Sequence, residues 1–325
     1  MAWDAATLRR LDGMIWGVVA AVATLVLLAA TLDDFTIRFA SFALPAGTGL
    51  MLLIAAGFYR CCRRDMKLAS ALEGTAQVVA FAAVAAPLSY VAAAWAAPLP
   101  LHDASLDAMD RAMGLDWRGL LATMERAPAL HAFMRLAYLS LTAQMTAVVL
   151  LLGFSGRLMW LRVYVLAFVF SALVTIAISA LFPVEGVWLH YGFTDARGGI
   201  LPISHTSWPV FLGLRDGSFR ALMAVGAEGI ISFPSLHAAL AVIMIAAVWP
   251  VPIARWVGLA INLSMLAATP INGSHYFVDV LAGIAVASLS LLAARTMVAR
   301  FGPGAASAKQ AFSPVAISGL RTPSG

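Results

Sequence analysis

Glu-Gly-Ile-Ile-Ser-Phe-Pro-Ser-Leu-His fills residues 228–237, and Asn-Gly-Ser-His-Tyr-Phe-Val-Asp fills residues 272–279. Between them lie two apolar stretches of helical length, 235–249 and 253–268. One descends from His237 and the next returns. A single hairpin at 1.5 Å rise per residue therefore brings His275, 38 residues further on, back to the level of His237. His275 and Asp279 are four residues apart, which places them side by side on one helix face. Ionisable groups at the mouth of apolar segments are costly and mark a functional site. A carboxylate that takes one imidazole N–H fixes the tautomer and leaves the other nitrogen nucleophilic. The second histidine, His237, then serves as acid toward a leaving oxygen and as base toward water or an alcohol. Ser232-Phe233-Pro234-Ser235 reads as a helix start, with Ser235 and the neighbouring N–H groups facing a phosphate. Arg215 and Arg220 supply planar, permanently charged donors for phosphate oxygens.

The rest of the chain says where such a site would sit. Of 325 residues, 62% are hydrophobic and 11% charged, with a mean hydropathy of +0.90. A soluble domain carries about 25% charged residues, so the chain is a polytopic membrane protein. The net charge of +5 does not point to nucleic acid, because the basic residues stand in short runs beside apolar segments. Cys61 and Cys62 are adjacent and offer neither a disulfide framework nor zinc spacing. No metal or other cofactor is expected.

Eight spanning segments are expected, at residues 14–31, 39–59, 76–97, 130–152, 160–182, 235–249, 253–268 and 276–297. Asp4 and Asp12 before the first argue for a retained anchor rather than a cleaved leader. Residues 102–129 read as a solvated amphipathic connector of one or two helices. Glu185, His190 and His205, in an outer loop over 183–232, read as solvated polar residues. The expected organisation is an N-terminal two-helix hairpin (1–70), a six-helix catalytic domain (71–300) and a disordered tail (301–325). With eight spans, Arg9, Arg10, Arg60, Arg63, Arg64, Lys67, Arg157, Arg162, Arg255, Arg295, Arg300 and Lys309 fall on one side, which the positive-inside rule makes cytoplasmic. The outer loop keeps Arg197, Arg215 and Arg220.

Phe-Pro-Ser-Leu-His (233–237) and His-Tyr-Phe-Val-Asp (275–279) resemble the second and third motifs of the type 2 phosphatidic acid phosphatase superfamily. The run from His275 to Gly283 is similar to the branch containing inositol phosphorylceramide synthase. The resemblance implies an all-α, six-helix core that needs no metal, with His275 as the nucleophile forming a phosphohistidine. It implies that Asp279 orients this histidine and that His237 is the acid/base. Three positions depart from the pattern. Leu236 replaces a glycine, Ala268 and Thr269 replace the serine and arginine of the third motif, and Arg215-x4-Arg220 stands in place of a Lys-x6-Arg-Pro motif.

The expected activity is that of an integral membrane phosphatase or phosphotransferase, working on a lipid phosphate or diphosphate from the non-cytoplasmic face of a bacterial inner membrane. Its partners are the lipid phosphate substrate and membrane lipids. Two other readings stand beside it: a transporter or flippase that uses the intramembrane His and Asp, and a catalytically inactive member of the same fold.

Overall fold

A bilayer offers peptide groups no hydrogen-bond partners, so apolar segments must close their own backbone bonds as helices. The computed structural model describes residues 5–193, 195 and 199–301. Among these residues it holds thirteen α-helices: α1 (Ala5–Leu32), α2 (Ala43–Phe58), α3 (Met66–Trp95), α4 (Asp103–Ala112), α5 (Trp117–Arg126), α6 (Pro128–Leu139), α7 (Leu141–Phe154), α8 (Leu158–Leu181), α9 (Val187–His190), α10 (Trp208–Asp216), α11 (Leu236–Val248), α12 (Pro252–Asn272) and α13 (Phe277–Phe301). A two-residue parallel pairing of Thr36–Ile37 with Ala221–Leu222 is the only sheet among the described residues. Arg197, Lys309 and the tail beyond residue 301 lie outside the described residues.

The chain is an all-α bundle. Among the described residues five helices are long and apolar enough to cross a membrane, and α6 with α7, bent by 50° at their junction, adds a sixth when the pair is counted as one span. The stretch read as one span over 130–152 is therefore two helices. Each of the other seven apolar stretches is also helical. α11 has only 13 residues, about 20 Å at 1.5 Å per residue and well short of a bilayer core of about 30 Å. It packs against α7, α8, α12 and α13, and most of its residues are buried.

α3 and α8 pack together, α8 also packs on α13, and α1 and α2 both lie on α3. Helix direction sorts the ends. At one end Thr7 of α1 bonds the Phe301 carbonyl of α13 at 3.3 Å, and Arg295 lies over the Trp160 ring at 4.9 Å. The α12–α13 turn and the start of α11 are at the other end. Arg162 departs from its expected place as a flanking anchor. It is buried inside α8 and forms a two-pronged ion pair with Asp12 of α1, at 3.1 and 2.9 Å.

Candidate active site

Ser235 caps α11, its Oγ accepting from the Ala238 N–H at 3.3 Å. α13 approaches this cap closely because Gly283 has no side chain. A Cβ there would run into the Ser235 carbonyl and come within 3.0 Å of the Ala238 Cβ. The backbone seals the contact, with the Ser235 N–H donating to the Asp279 carbonyl at 3.1 Å. The α12–α13 turn carries Ser274 in the left-handed region at φ 60, and His275 follows it into the interior.

Two of the three expected catalytic residues, His237 and His275, line one cavity, and the third, Asp279, stands behind His275. His275 Nδ1 lies 3.2 Å from Asp279 Oδ2, and both residues are buried. Asp279 Oδ2 also accepts the Tyr276 N–H at 2.9 Å. On its other side, His275 Nε2 is 3.3 Å from Ser235 Oγ. His237, on the first turn of α11, lines the same cavity as His275. The ring of Tyr138 from α6 stacks on His237, with centroids 4.1 Å apart and planes 9° apart, and its hydroxyl is 3.3 Å from Nδ1. Gly273 fits between the two halves of the site. A Cβ there would lie 2.5 Å from His275 Cδ2 and 2.8 Å from the Tyr138 hydroxyl.

The connector over 102–129 is not the solvated linker that its composition suggests. Asp103, Asp107 and Asp110 are buried. Asp110 accepts the N–H groups of Phe277 and Val278 at 2.8 and 2.9 Å, a carboxylate on the positive end of the α13 dipole. Burial still raises its pKa above the ordinary range, against the pull of those two N–H groups. Asp103 accepts the Tyr276 hydroxyl and the Glu185 and Gly186 N–H groups, each at 3.0 Å. Trp117 of α5 and Trp188 of α9 donate to the Pro270 and Ile271 carbonyls at 3.2 Å. α4, α5 and α9 thus clamp the turn that carries His275. The spacing of Asp103, Asp107 and Asp110 on one helix face was the available signal, and nothing in the sequence marked Tyr138.

Arg215 and Arg220 are not brought to the histidines. Neither lines the cavity. Arg215 donates to the Ala96 and Leu99 carbonyls at 3.0 and 2.8 Å, tying up carbonyls just beyond α3. Arg220 donates to the Leu214 carbonyl at 2.9 Å and lies over the Phe35 ring. Thr269, where the third-motif arginine would stand, is buried and bonds the Met265 carbonyl at 2.7 Å. Glu185, expected to be solvated, lines the cavity together with Glu228. Burial and the nearby Asp103 carboxylate hold Glu185 above the ordinary carboxylate range, against the pull of His190 and Arg215. Among the described residues no lysine or arginine lines the cavity.

The cavity measures about 310 Å³, at the lower end of the roughly 300–1,000 Å³ of small-molecule sites. Its polar end holds the two histidines. The remainder is walled by apolar side chains of α3, α7, α8, α10 and α11.

No curated protein and no solved structure matches the chain. The family model for the PAP2 superfamily matches residues 104–293, more than half of the chain and including His237, His275 and Asp279, and the chain belongs to that superfamily of phosphatase-type lipid phosphate enzymes.

Proposed function

We propose that this protein cleaves a lipid phosphate through a phosphohistidine at His275. One observation carries the reading: two histidines 38 residues apart face one cavity, and one of them is held by a buried carboxylate. Nδ1–H of His275 donates to Asp279, so the lone pair is on Nε2. Ser235 agrees with that assignment. Its Oγ accepts from Ala238, which leaves its hydroxyl hydrogen to donate to Nε2 and later to a phosphate oxygen.

In the first step Nε2 of His275 attacks phosphorus and the P–O bond to the lipid alcohol breaks. His237 enters as the imidazolium, gives that oxygen the proton on Nε2 and becomes neutral, keeping Nδ1–H, which donates to the Tyr138 hydroxyl oxygen. In the second step water or an alcohol attacks the phosphohistidine, the P–N bond breaks, and His237 takes the incoming proton. Leu236 and His237, on the first α11 turn, line the cavity, and their N–H groups, which have no acceptor within the helix, are the donors for the phosphate oxygens. Arg215 and Arg220 as phosphate ligands would require their side chains to leave the carbonyls they now bond.

A second reading, phosphotransfer from a phosphodiester, is favoured by the charge of the cavity wall. Glu185 and Glu228 would repel a dianionic monoester more than a singly charged diester. The catalytic unit is assigned to residues 71–300, with α1 and α2 as an accessory pair. The site faces the non-cytoplasmic side, because Arg60, Arg63, Arg64, Arg255, Arg295 and Arg300 occupy the opposite end of their helices.

The test is turnover of a panel of lipid phosphates, diphosphates and phosphodiesters by purified protein, with trapping of an acid-labile phosphoprotein. His275→Ala and Asp279→Asn should abolish or nearly abolish product. His275→Ala should also abolish the trapped species. Full turnover in both variants would reject the mechanism. Product analysis with and without an acceptor alcohol separates hydrolysis from transfer.

A further inference from the structure

The apolar part of the cavity has a shape that bond cleavage alone does not need. Its wall on α3 is Ala82, Ala85, Ala86 and Ser89, one face of the helix at 3–4-residue spacing. A face of small residues normally lets a second helix approach closely. Here the same face borders empty space, and larger side chains such as Met145, Phe168 and Leu240 stand around it. Cavities destabilise a fold in proportion to their volume, so an apolar one kept open beside the candidate nucleophile calls for an occupant.

The depth is legible from the helices. Ser89 and Ala82 are seven residues apart on α3, and Ile176 and Phe168 are eight apart on α8, so the space runs about 10–12 Å along the bundle at 1.5 Å per residue. His237 and His275 belong to its outer end, since they sit at the start of α11 and in the α12–α13 turn.

We propose that this cavity seats one hydrocarbon chain of the phosphate donor, and that Ala82 on α3 and Met145 on α7 set the length of chain it accepts. The proposal rests on the phosphohistidine reading above and adds the donor class, a single-headed lipid with a chain inserted into the bundle. The phosphorus then lies at the histidines while the chain passes down the α3 face. Ala82 is exposed within this wall, so a larger side chain there fills space instead of displacing packed neighbours.

The probes are n-alkyl phosphates of increasing chain length, presented in a phosphate-free detergent. In the wild type, kcat/KM should rise with chain length to a maximum. Ala82→Leu should move that maximum to shorter chains, with about a tenfold loss for the longest chain and little change for the shortest. Met145→Ala should move it the other way, and serves if Ala82→Leu does not fold. Thermal stabilisation by the same alkyl phosphates is read in parallel, because a ligand that binds the folded state raises its melting temperature without turnover. If the wild type turns over no probe but its stabilisation grows with chain length and is cut back in Ala82→Leu, the chemistry fails and the chain site stands. If chain-length profiles of turnover and stabilisation coincide in all three proteins, the chain site is overturned whatever the chemistry.

Discussion

The Tyr138 ring lies flat on His237, 4.1 Å between centroids, and places its hydroxyl 3.3 Å from Nδ1. Of the two ring nitrogens, Nδ1 is thereby occupied by protein, which directs Nε2 to the reacting oxygen. Tyr138→Phe keeps the stack and removes only the hydroxyl. A neutral hydrogen bond is worth about 1 kcal/mol, and tenfold in rate corresponds to about 1.4 kcal/mol. The expected result is a five- to tenfold fall in kcat with KM nearly unchanged. An unchanged kcat would show that the hydroxyl does not set the tautomer.

Asp110 holds the start of α13 from outside. Replacing it by alanine leaves the Phe277 and Val278 N–H groups, 167 and 168 residues away in sequence, without their acceptor. Each unsatisfied buried donor costs about 1–3 kcal/mol. Asp110→Ala should therefore lower the melting temperature in detergent and reduce kcat, since His275 rides on the same turn. Asp110→Asn retains one acceptor oxygen and should recover part of both. Equal melting temperatures for wild type and Asp110→Ala would remove the clamp from the account.

These two residues also mark what was legible in the sequence. The His275–Asp279 pair follows from helix periodicity, and its meeting with His237 follows from one hairpin, so both could be read locally. Tyr138 and Asp110 reach the site from α6 and α4, 99 and 167 residues from their partners, and no spacing rule connects such distances. Composition misled at α4. A run of aspartates reads as a solvated face, yet Asp103 and Asp110 are consumed by backbone N–H groups of the loop before α9 and the start of α13. Arg215 shows the opposite error. Its charge suited a phosphate, but carbonyls just past the end of α3 claim its donors. The eight apolar stretches were visible because each is an unbroken greasy run of helical length. The bend between α6 and α7 was not, because both halves are equally apolar.

Glu185 gives a pH prediction. Burial and Asp103 raise its pKa above the usual carboxylate range, so below that raised value the group is neutral and above it carries charge into the cavity. An ionised Glu185 repels an incoming phosphate, and KM should rise as pH climbs through the raised value. Glu185→Gln stays neutral throughout. Its KM should be lower than wild type above that raised value and flat across the same interval. Parallel profiles in the two proteins would mean that Glu185 does not face bound phosphate.

The ion pair at the far end of the bundle tests stability apart from chemistry. Asp12 and Arg162 are both buried, and Gln77 of α3 donates to the same carboxylate at 3.2 Å. Three helices, α1, α3 and α8, are joined at this point. Removing one charge strands the other in an apolar interior, at a cost of about 3–5 kcal/mol, whereas removing both strands none. Asp12→Leu and Arg162→Met should each lower the melting temperature sharply, and the two together should restore most of it. The double variant should fall well short of the sum of the singles, the sign of a directly coupled pair. Because the pair lies at the end away from His237 and His275, turnover per folded molecule should stay at the wild-type level in the double variant. Additive losses would show that the charges act independently. Lost turnover in a stable double variant would show that the packing of α1 on α3 reaches the cavity wall.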